Sequence, residues 1–162
     1  MIIRKLKADD VTDAFSCGRP SLDRYLRRYA WVNQKANSAQ TYVAVSDVGI
    51  VGYYSLSVAA VDWANAPERV GKGLARHPVP VMLLARLAVN LEQQRCGIGK
   101  ALLKDALLRT LQAADIAGVR AMLVHAKDDA ARQWYLRWEF EASPTNPLHL
   151  FLLLKDMRHA AR

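Results

Sequence analysis

A nearly unbroken apolar run near the middle of the chain constrains its fold more than any other feature. The run covers residues 81–89 and is followed, after a short polar segment, by Gly97-Ile98-Gly99. A continuous apolar run of this length is typical of a strand that is buried on both faces. After the glycines, apolar residues recur at helical spacing on one face: Leu102, Leu103, Ala106, Leu107 and Leu111. The sequence therefore predicts a buried strand, a glycine turn and a helix over residues 99–114.

A glycine turn between a strand and a helix is suited to phosphate binding, because the backbone can approach the ligand and the helix start offers N–H donors. A lone G-x-G is weak evidence, since glycines also end strands. The third glycine of the Rossmann fingerprint is missing because position 102 is leucine, and no G-K-[ST] of a P-loop follows. The segment does match the pattern Q/R-x-x-G-x-G/A, as Gln94-Arg95-Cys96-Gly97-Ile98-Gly99.

Length and cysteine usage indicate the general class of the protein. A chain of 162 residues is expected to form one domain, here residues 1–162. No apolar run reaches the roughly 18 residues of a membrane-spanning helix, and the amino terminus lacks a signal-peptide core. The two cysteines, Cys17 and Cys96, form neither a disulfide framework nor a metal-binding spacing. We therefore expect a soluble cytoplasmic domain that binds no metal.

The net charge points to the chemistry of a partner. The formal net charge is +8, and the sequence pI is near 9.8. Such a charge favours a polyanionic partner, which means nucleic acid, a membrane surface or a phosphate-rich cofactor. The alternative is that the excess charge only keeps a small protein soluble. Composition alone does not identify the partner.

The remaining patterns predict a mixed α/β fold. Further strands are expected at residues 2–6, 41–45, 50–58, 119–125 and 148–154. Helices are expected at residues 22–34, with Ser21 as the N-cap, and at 130–138, capped by Asp128 or Asp129. Residues 62–80 are expected to form a long basic loop. This order, β–α–ββ–β–α–β–α–β, predicts one mixed sheet with helices on both faces.

Over almost its full length the chain resembles the GCN5-related N-acetyltransferases (the GNAT family). Within that family it is similar to the toxin halves of bacterial toxin–antitoxin pairs (the TacT type). The pattern 94–99 is specific to the family, whereas Phe15-Ser16-Cys17-Gly18 and Arg86-Leu87-Ala88-Val89 are typical of the toxin group. The resemblance implies a mostly antiparallel sheet whose central strands splay apart.

The resemblance also implies that the protein transfers acetyl from acetyl-CoA to an amine. The gap between the splayed strands would leave backbone groups unpaired, and the pantetheine arm would bond to them as a pseudo-strand. The pyrophosphate would lie on the amides of residues 95–100. Arg95 stands where the family commonly has glycine. The candidate cofactor-binding residues are Leu87, Ala88, Val89, Gln94, Arg95, Cys96, Gly97, Ile98, Gly99, Lys100 and Asp128.

The family's catalytic acid is a tyrosine in the helix after the penultimate strand, and Tyr135 carries it here. A tyrosine hydroxyl near the sulfur would protonate the leaving CoA thiolate. The alternative is that Tyr135, beside Trp134 and Trp138, is an ordinary aromatic residue packed against the sheet. Glu139 stands where the family usually has the glycine that ends this helix.

No general base stands out from the sequence. The four histidines are scattered without a triad-like pattern, and each is expected to be structural or exposed: His77, His125, His149 and His159. An α-amino group has a pKa of about 7.7–8.0 and that of an amino-acid ester is lower still, so much of it is already neutral at cellular pH. That property suits the substrate of the toxin group, which is the amino acid esterified to tRNA.

The resemblance implies further partners. These are a ribbon-helix-helix antitoxin and a second copy of the chain in a homodimer, without a membrane. The +8 charge suits tRNA, with candidate contacts at Arg24, Arg27, Arg28, Lys35, Arg69, Lys72, Arg76, Arg158 and Arg162. Two other functions remain open at this point. One is an acetyltransferase for a small amine or a protein N-terminus, and the other is a non-catalytic domain that senses acyl-CoA or binds nucleic acid.

Overall fold

The computed structural model describes residues 1–162 and contains one seven-stranded sheet in the order β1-β2-β3-β4-β5-β7-β6. The strands are β1 (Ile2–Lys5), β2 (Gln40–Ser46), β3 (Gly49–Val61), β4 (Val79–Val89), β5 (Ala121–His125), β6 (Glu141–Ala142) and β7 (His149–Leu153). β4 and β5 pair in parallel. β1 with β2, β2 with β3, β5 with β7 and β6 with β7 pair antiparallel. The expectation of a mixed, mostly antiparallel sheet is therefore confirmed.

Six α-helices and three helical segments of other types accompany the sheet. The α-helices are α1 (Pro20–Arg24), α2 (Ala30–Lys35), α3 (Glu68–Gly71), α4 (Ile98–Ala114), α5 (Asp129–Leu136) and α6 (Leu154–Ala160). A π-helical turn, Tyr25–Tyr29, joins α1 to α2, and 3₁₀ turns occur at Trp63–Asn65 and Leu91–Gln93. None of these helices has both the length and the apolar composition that crossing a bilayer requires.

Several sequence-based expectations about local structure are wrong. The N-cap of α1 is Arg19 rather than Ser21, because Pro20 occupies the first helical position, where its fixed φ and missing N–H are tolerated. Residues 62–80 are not one loop, since they contain a 3₁₀ turn, α3 and the start of β4. β6 and α6 were not expected. A two-residue strand carries no periodicity, and α6 directly continues the apolar run of β7.

The chain forms two compact units. Unit 1 comprises residues 1–57 and 85–106, and unit 2 comprises residues 58–84 and 107–162. β3 and β4 each run through both units, so neither unit is a continuous piece of chain. The core of unit 1 includes Phe15, Leu22, Tyr25, Val43, Tyr53 and Ala88. The core of unit 2 includes Val70, Val79, Val81, Ala121, Leu123 and Phe151. That residues 1–162 act as a single domain stays a prediction.

Helices of unit 1 lie on opposite faces of β3. The hydroxyl of Tyr53 donates to the carbonyl oxygen of Leu22 in α1 at 2.7 Å. The hydroxyl of Tyr54 donates to the carboxylate of Asp105 in α4 at 2.6 Å. Successive residues of a strand point to opposite faces. The expected placement of helices on both faces is therefore confirmed for this unit.

Gly52 allows α4 to approach β3 closely. A Cβ atom at this position would lie 2.9 Å from a methyl carbon of Leu102 and 3.1 Å from the carbonyl oxygen of Ala88. The Cγ2 atom of Ile98, the first residue of α4, would be 3.3 Å away. Glycine inside a strand often marks such a close approach. Here it sets the distance between β3, the end of β4 and the start of α4.

We expect Gly52→Ala to lower the free energy of unfolding by about 1–3 kcal/mol, because the added methyl group overpacks this contact. The matched control is Gly118→Ala. Gly118 has an ordinary φ and no atom within 4 Å of the position that an added methyl group would occupy, so its substitution should leave stability unchanged or slightly raised. Chemical denaturation of both variants measures the difference. Equal stability of the two variants would contradict the steric role of Gly52.

Candidate functional site

The candidate site residues fall into the two units. Unit 1 holds Leu87, Ala88 and Val89 at the end of β4 and residues 94–100 in the following turn. Unit 2 holds Asp128 and Tyr135 around α5. The two groups therefore belong to different units.

The segment between β4 and α4 is fixed by hydrogen bonds to β3 and to the amino-terminal loop. The backbone N–H of Asn90 donates to the carbonyl of Val51 at 2.8 Å, and that of Leu91 donates to the carbonyl of Ser16 at 2.8 Å. The side-chain oxygen of Asn90 accepts from the N–H of Ser16 at 2.9 Å. The Phe15-Ser16-Cys17-Gly18 motif therefore positions this segment, a role that sequence spacing did not reveal.

Gln94 connects the turn to the end of β4 and to the amino-terminal loop. Its side-chain nitrogen donates to the carbonyl of Val89 at 3.0 Å and to the carbonyl of Cys17 at 3.2 Å. Gln94 thus orients the turn within the protein. The carbonyl of Val89 is consequently not one of the unpaired backbone groups that were expected there from the sequence. The parallel pairing of β4 with β5 covers Val81–Leu84, so residues 87–89 lie beyond it.

The turn itself presents backbone amides at the start of α4. Gly97 has a φ of +83°, and its carbonyl accepts from the N–H of Ala101 at 3.1 Å. This is the first bond of the helix, so the amides of Ile98 and Gly99 have no acceptor within the helix. No atom lies within 4 Å of the position that a Cβ of Gly97 would occupy. Open space therefore lies beside Gly97 at the positive end of the helix dipole, which favours an anion.

Arg95 adopts a φ of +66°, in the left-handed region that favours glycine. The turn therefore keeps a glycine conformation at the position where the resemblance expects glycine, and it adds an exposed guanidinium group there. Cys96 is also exposed, with its sulfur 3.7 Å from the carbonyl oxygen of Gln94. The residues of this turn fit a diphosphate, because they combine amides, open space and positive charge.

An aromatic cluster supports the end of β4. The guanidinium carbon of Arg86 lies 3.6 Å from the ring centroid of Tyr25. Tyr25 stacks on Tyr53 at a centroid distance of 6.4 Å, and Phe15 contacts Tyr53 edge to face at 5.6 Å. Burial raises the pKa of the Tyr53 hydroxyl above its usual value. Arg86 and Phe15, from the two motifs that resemble the toxin group, are thus connected through Tyr25 and Tyr53.

Asp128 is the N-cap of α5. One of its carboxylate oxygens accepts from the backbone N–H of Ala131 at 2.8 Å, and its extended backbone is typical of a capping residue. Asp128 and Asp129 were alternative caps on the sequence alone, and the structure selects Asp128. Binding of the cofactor by Asp128 stays a prediction.

Tyr135 lies in the last turn of α5 and is half-buried. Its ring contacts Trp134 at 5.0 Å and Phe140 at 5.4 Å, both edge to face. Its hydroxyl makes no hydrogen bond within the chain. Burial raises the pKa of this hydroxyl above its usual value, because the phenolate is poorly solvated. The aromatic packing and a role as proton donor are therefore compatible, since the ring is held while the protonated hydroxyl remains available.

Two of the histidines are paired, contrary to the expectation that all four are scattered. His125 and His149 occupy facing positions on β5 and β7, and their rings stack at a centroid distance of 4.0 Å. Burial and the neighbouring His149 lower the pKa of His125. Both rings line a cleft of about 470 Å³ in unit 2, together with Leu83, Leu123 and Phe151. Only the strand register reveals this pair.

Known proteins match this chain over most of its length. The family model described as the acetyltransferase (GNAT) domain matches residues 37–142. The tRNA-acetylating toxin of Mycobacterium tuberculosis (strain ATCC 25618 / H37Rv) is 50% identical over 151 residues, which cover 93% of this chain and 90% of the relative.

Solved structures show the same fold. AtaT complexed with acetyl-methionyl-tRNAfMet has a TM-score of 0.90 at 22% identity, and the match covers 98% of this chain and 97% of that one. A mutant AtaT toxin bound to the C-terminus of the antitoxin AtaR and acetyl-CoA has a TM-score of 0.82 at 22% identity, and the match covers 98% and 96%. At this level of identity the likeness concerns the fold.

The end of α5 yields a prediction about stability. Glu139 follows the helix with a φ of +70°, and its N–H donates to the carbonyl of Leu136 at 3.1 Å. Replacing Glu139 with glycine should raise the free energy of unfolding by about 1 kcal/mol, because glycine adopts this conformation without strain. Glu139→Ala keeps the Cβ atom and should give no such gain. Thermal or chemical denaturation compares the variants, and a loss of stability in Glu139→Gly would contradict backbone strain at this position.

Proposed function

This chain belongs to the GNAT acetyltransferase family, and we propose that it transfers the acetyl group of acetyl-CoA to the amino group of an aminoacyl-tRNA. The observation that carries this proposal is the 50% identity to a tRNA-acetylating toxin over nearly the whole of both chains. Acetylation removes the nucleophilic amine that peptide-bond formation needs, so translation would stop. The basic net charge of +8 suits a polyanionic substrate.

Acetyl-CoA supplies an activated acetyl thioester to this reaction. In unit 1, the amides that start α4 and the exposed Arg95 would hold its diphosphate, because they offer donors and charge around the open space at Gly97. Gln94 would act indirectly, since its side chain orients the turn through the carbonyls of Val89 and Cys17. Backbone groups of Leu87 and Ala88 would bond to the pantetheine arm.

Tyr135 would act as the general acid. The substrate amine attacks the thioester carbonyl, and the carbon–sulfur bond breaks as the tetrahedral intermediate collapses. The phenolic proton of Tyr135 passes to the sulfur of the leaving CoA. The amine nitrogen loses one proton as the amide forms, and a proton taken up by the Tyr135 phenolate restores the enzyme. Because burial raises the pKa of Tyr135, its hydroxyl carries this proton at neutral pH.

The amine requires little help to react. The α-amino group of an amino-acid ester has a lower pKa than a free α-amino group, whose pKa is about 7.7–8.0, so a substantial fraction of it is neutral at cellular pH. A dedicated base is then not needed for the attack. This property favours an aminoacyl ester over a lysine side chain, whose pKa of about 10.4 keeps it protonated.

The proposed biological setting follows from the proposed substrate. Aminoacyl-tRNA is used in the cytoplasm, so we place the protein there. A toxin of this kind requires a neutralising antitoxin, and the AtaT toxin binds the C-terminus of its antitoxin AtaR. That the partner of this chain is a ribbon-helix-helix protein, and that the chain forms a homodimer, are parts of the same proposal.

Tyr135→Phe should lower the rate of acetyl transfer by about 10²–10⁴-fold, because the proton donor is lost while the ring is kept. The matched control is Tyr29→Phe, which removes a hydroxyl from an exposed tyrosine and should leave the rate unchanged. The assay follows labelled acetyl-CoA with total aminoacylated tRNA and with deacylated tRNA. Label on charged tRNA alone supports the proposal. Absence of label despite measured CoA binding would refute it.

The pH dependence provides an independent test of the acid. Because burial raises the pKa of Tyr135, the hydroxyl stays protonated throughout the range from neutral pH to about pH 10. The initial rate should therefore rise as the substrate amine loses its proton and then stay level up to about pH 10. Initial rates at saturating acetyl-CoA measure this profile. A decline that begins at about pH 8 would contradict protonated Tyr135 as the donor.

A further inference from the structure

A basic cleft of about 460 Å³ lies within unit 2. Five cationic side chains line it: Arg69, Lys72, Arg120, Lys155 and Arg158. They come from α3, the segment after it, the residue that precedes β5, and α6. Neither Tyr135 nor Asp128 belongs to its lining. Arg69, Lys72 and Arg158 were candidate RNA contacts on the sequence alone, whereas Arg120 and Lys155 were not.

Most of this charge is not neutralised within the chain. Arg69 pairs with Asp156 at 3.0 Å and lies 3.7 Å from Glu141. The side chains of Lys72, Lys155 and Arg158 are exposed and make no ion pair. The cleft therefore presents several positive charges to solvent on one surface.

Arg120 lines the cleft with a guanidinium group that is fixed by hydrogen bonds. Its Nε donates to the carbonyl of Val70 at 2.8 Å, and its Nη2 donates to the carbonyl of Lys72 at 3.0 Å. These acceptors are uncharged, so they orient the guanidinium without offsetting its charge. Its backbone N–H donates to the carbonyl of Pro80, and its carbonyl accepts from Leu154. The group is thus held rigidly where β4, β5 and β7 begin or end.

The basic cleft and the cleft lined by His125 and His149 lie at opposite ends of β5. Arg120 precedes this strand and His125 ends it, which corresponds to about 17 Å of extended chain. A single ligand that occupied both clefts would have to extend over this distance, which a nucleic acid can do.

We propose that the basic cleft binds backbone phosphates of tRNA at a distance from the aminoacyl group, and so contributes affinity rather than chemistry. The identity of the RNA rests on the proposed function. The observations favour RNA over an acidic peptide because the cations are distributed over separate elements, as successive phosphates require. The only apolar lining is Leu153 and Leu154, which offers a peptide little to bind.

The test uses Lys155→Glu, with Lys72→Glu as a second variant and Lys5→Glu as the matched control. Lys5 is an exposed residue of β1 outside the cleft, so its substitution changes the net charge by the same amount. Arg120 is unsuitable because its hydrogen bonds support the fold. Two substrates are compared for each variant: the complete aminoacyl-tRNA, and the same aminoacyl group on the 3′-terminal trinucleotide alone.

In the cleft variants, the KM for complete tRNA should rise about tenfold while kcat stays near the wild-type value, because phosphate contacts supply affinity. In a plot of the logarithm of the tRNA-binding constant against the logarithm of salt concentration, the slope should become less steep by about 1 for each phosphate contact removed. Activity on the trinucleotide should not change. Equal effects on both substrates, or effects no larger than those of Lys5→Glu, would overturn the proposal.

A failure of the proposed function gives a different pattern. In that case the wild-type protein acetylates neither substrate, and the binding of deacylated tRNA still reports on the cleft. Weaker tRNA binding in Lys155→Glu than in Lys5→Glu would then support the cleft alone. Unchanged tRNA binding together with weakened binding of an acidic peptide would overturn the RNA proposal in favour of a protein partner.

Discussion

The close approach of α4 to β3 is the constraint on which the rest of unit 1 depends. Gly52 provides the space for Leu102 and for the carbonyl of Ala88, so the start of α4 lies directly beside the end of β4. The short segment between them is then held by Asn90 and Gln94 to neighbouring carbonyls and amides. The first amides of the helix are thereby kept in one orientation. An anion that binds there meets donors that need little reorganisation.

Two positions show how this chain departs from its family without losing the required backbone. Arg95 and Glu139 both have positive φ where the resemblance expects glycine. The left-handed conformation costs an L-residue about 1–2 kcal/mol. At Arg95 the strained backbone places a guanidinium group in the turn that would hold a diphosphate. At Glu139 no side-chain contact in the structure explains why glycine is replaced.

The distribution of side chains is consistent with a division between chemistry and affinity. Tyr135 is half-buried, its ring is held by aromatic neighbours, and burial raises the pKa of its hydroxyl, so the hydroxyl keeps the proton that a general acid must donate. The basic cleft is lined by arginine, lysine and leucine side chains, and none of these is a tyrosine that could act as a proton donor in the same way. Binding a polyanion requires several positive charges distributed over a surface, whereas acid catalysis requires one positioned proton donor beside the reacting atoms. The two requirements are met by different parts of unit 2.

Local patterns in the chain were sufficient to specify the strand–turn–helix around residues 81–114, the order of most elements and the membership of the family. Periodicity, the glycine pattern and the motif residues carry that information directly. Tertiary packing was needed to establish that Gln94 orients the turn, that Arg86 packs on Tyr25, and that His125 faces His149. It also brought Arg120 and Lys155 into the same cleft as Arg69. These relations join residues that are distant in the chain, and they depend on strand register and helix packing, which no local pattern specifies.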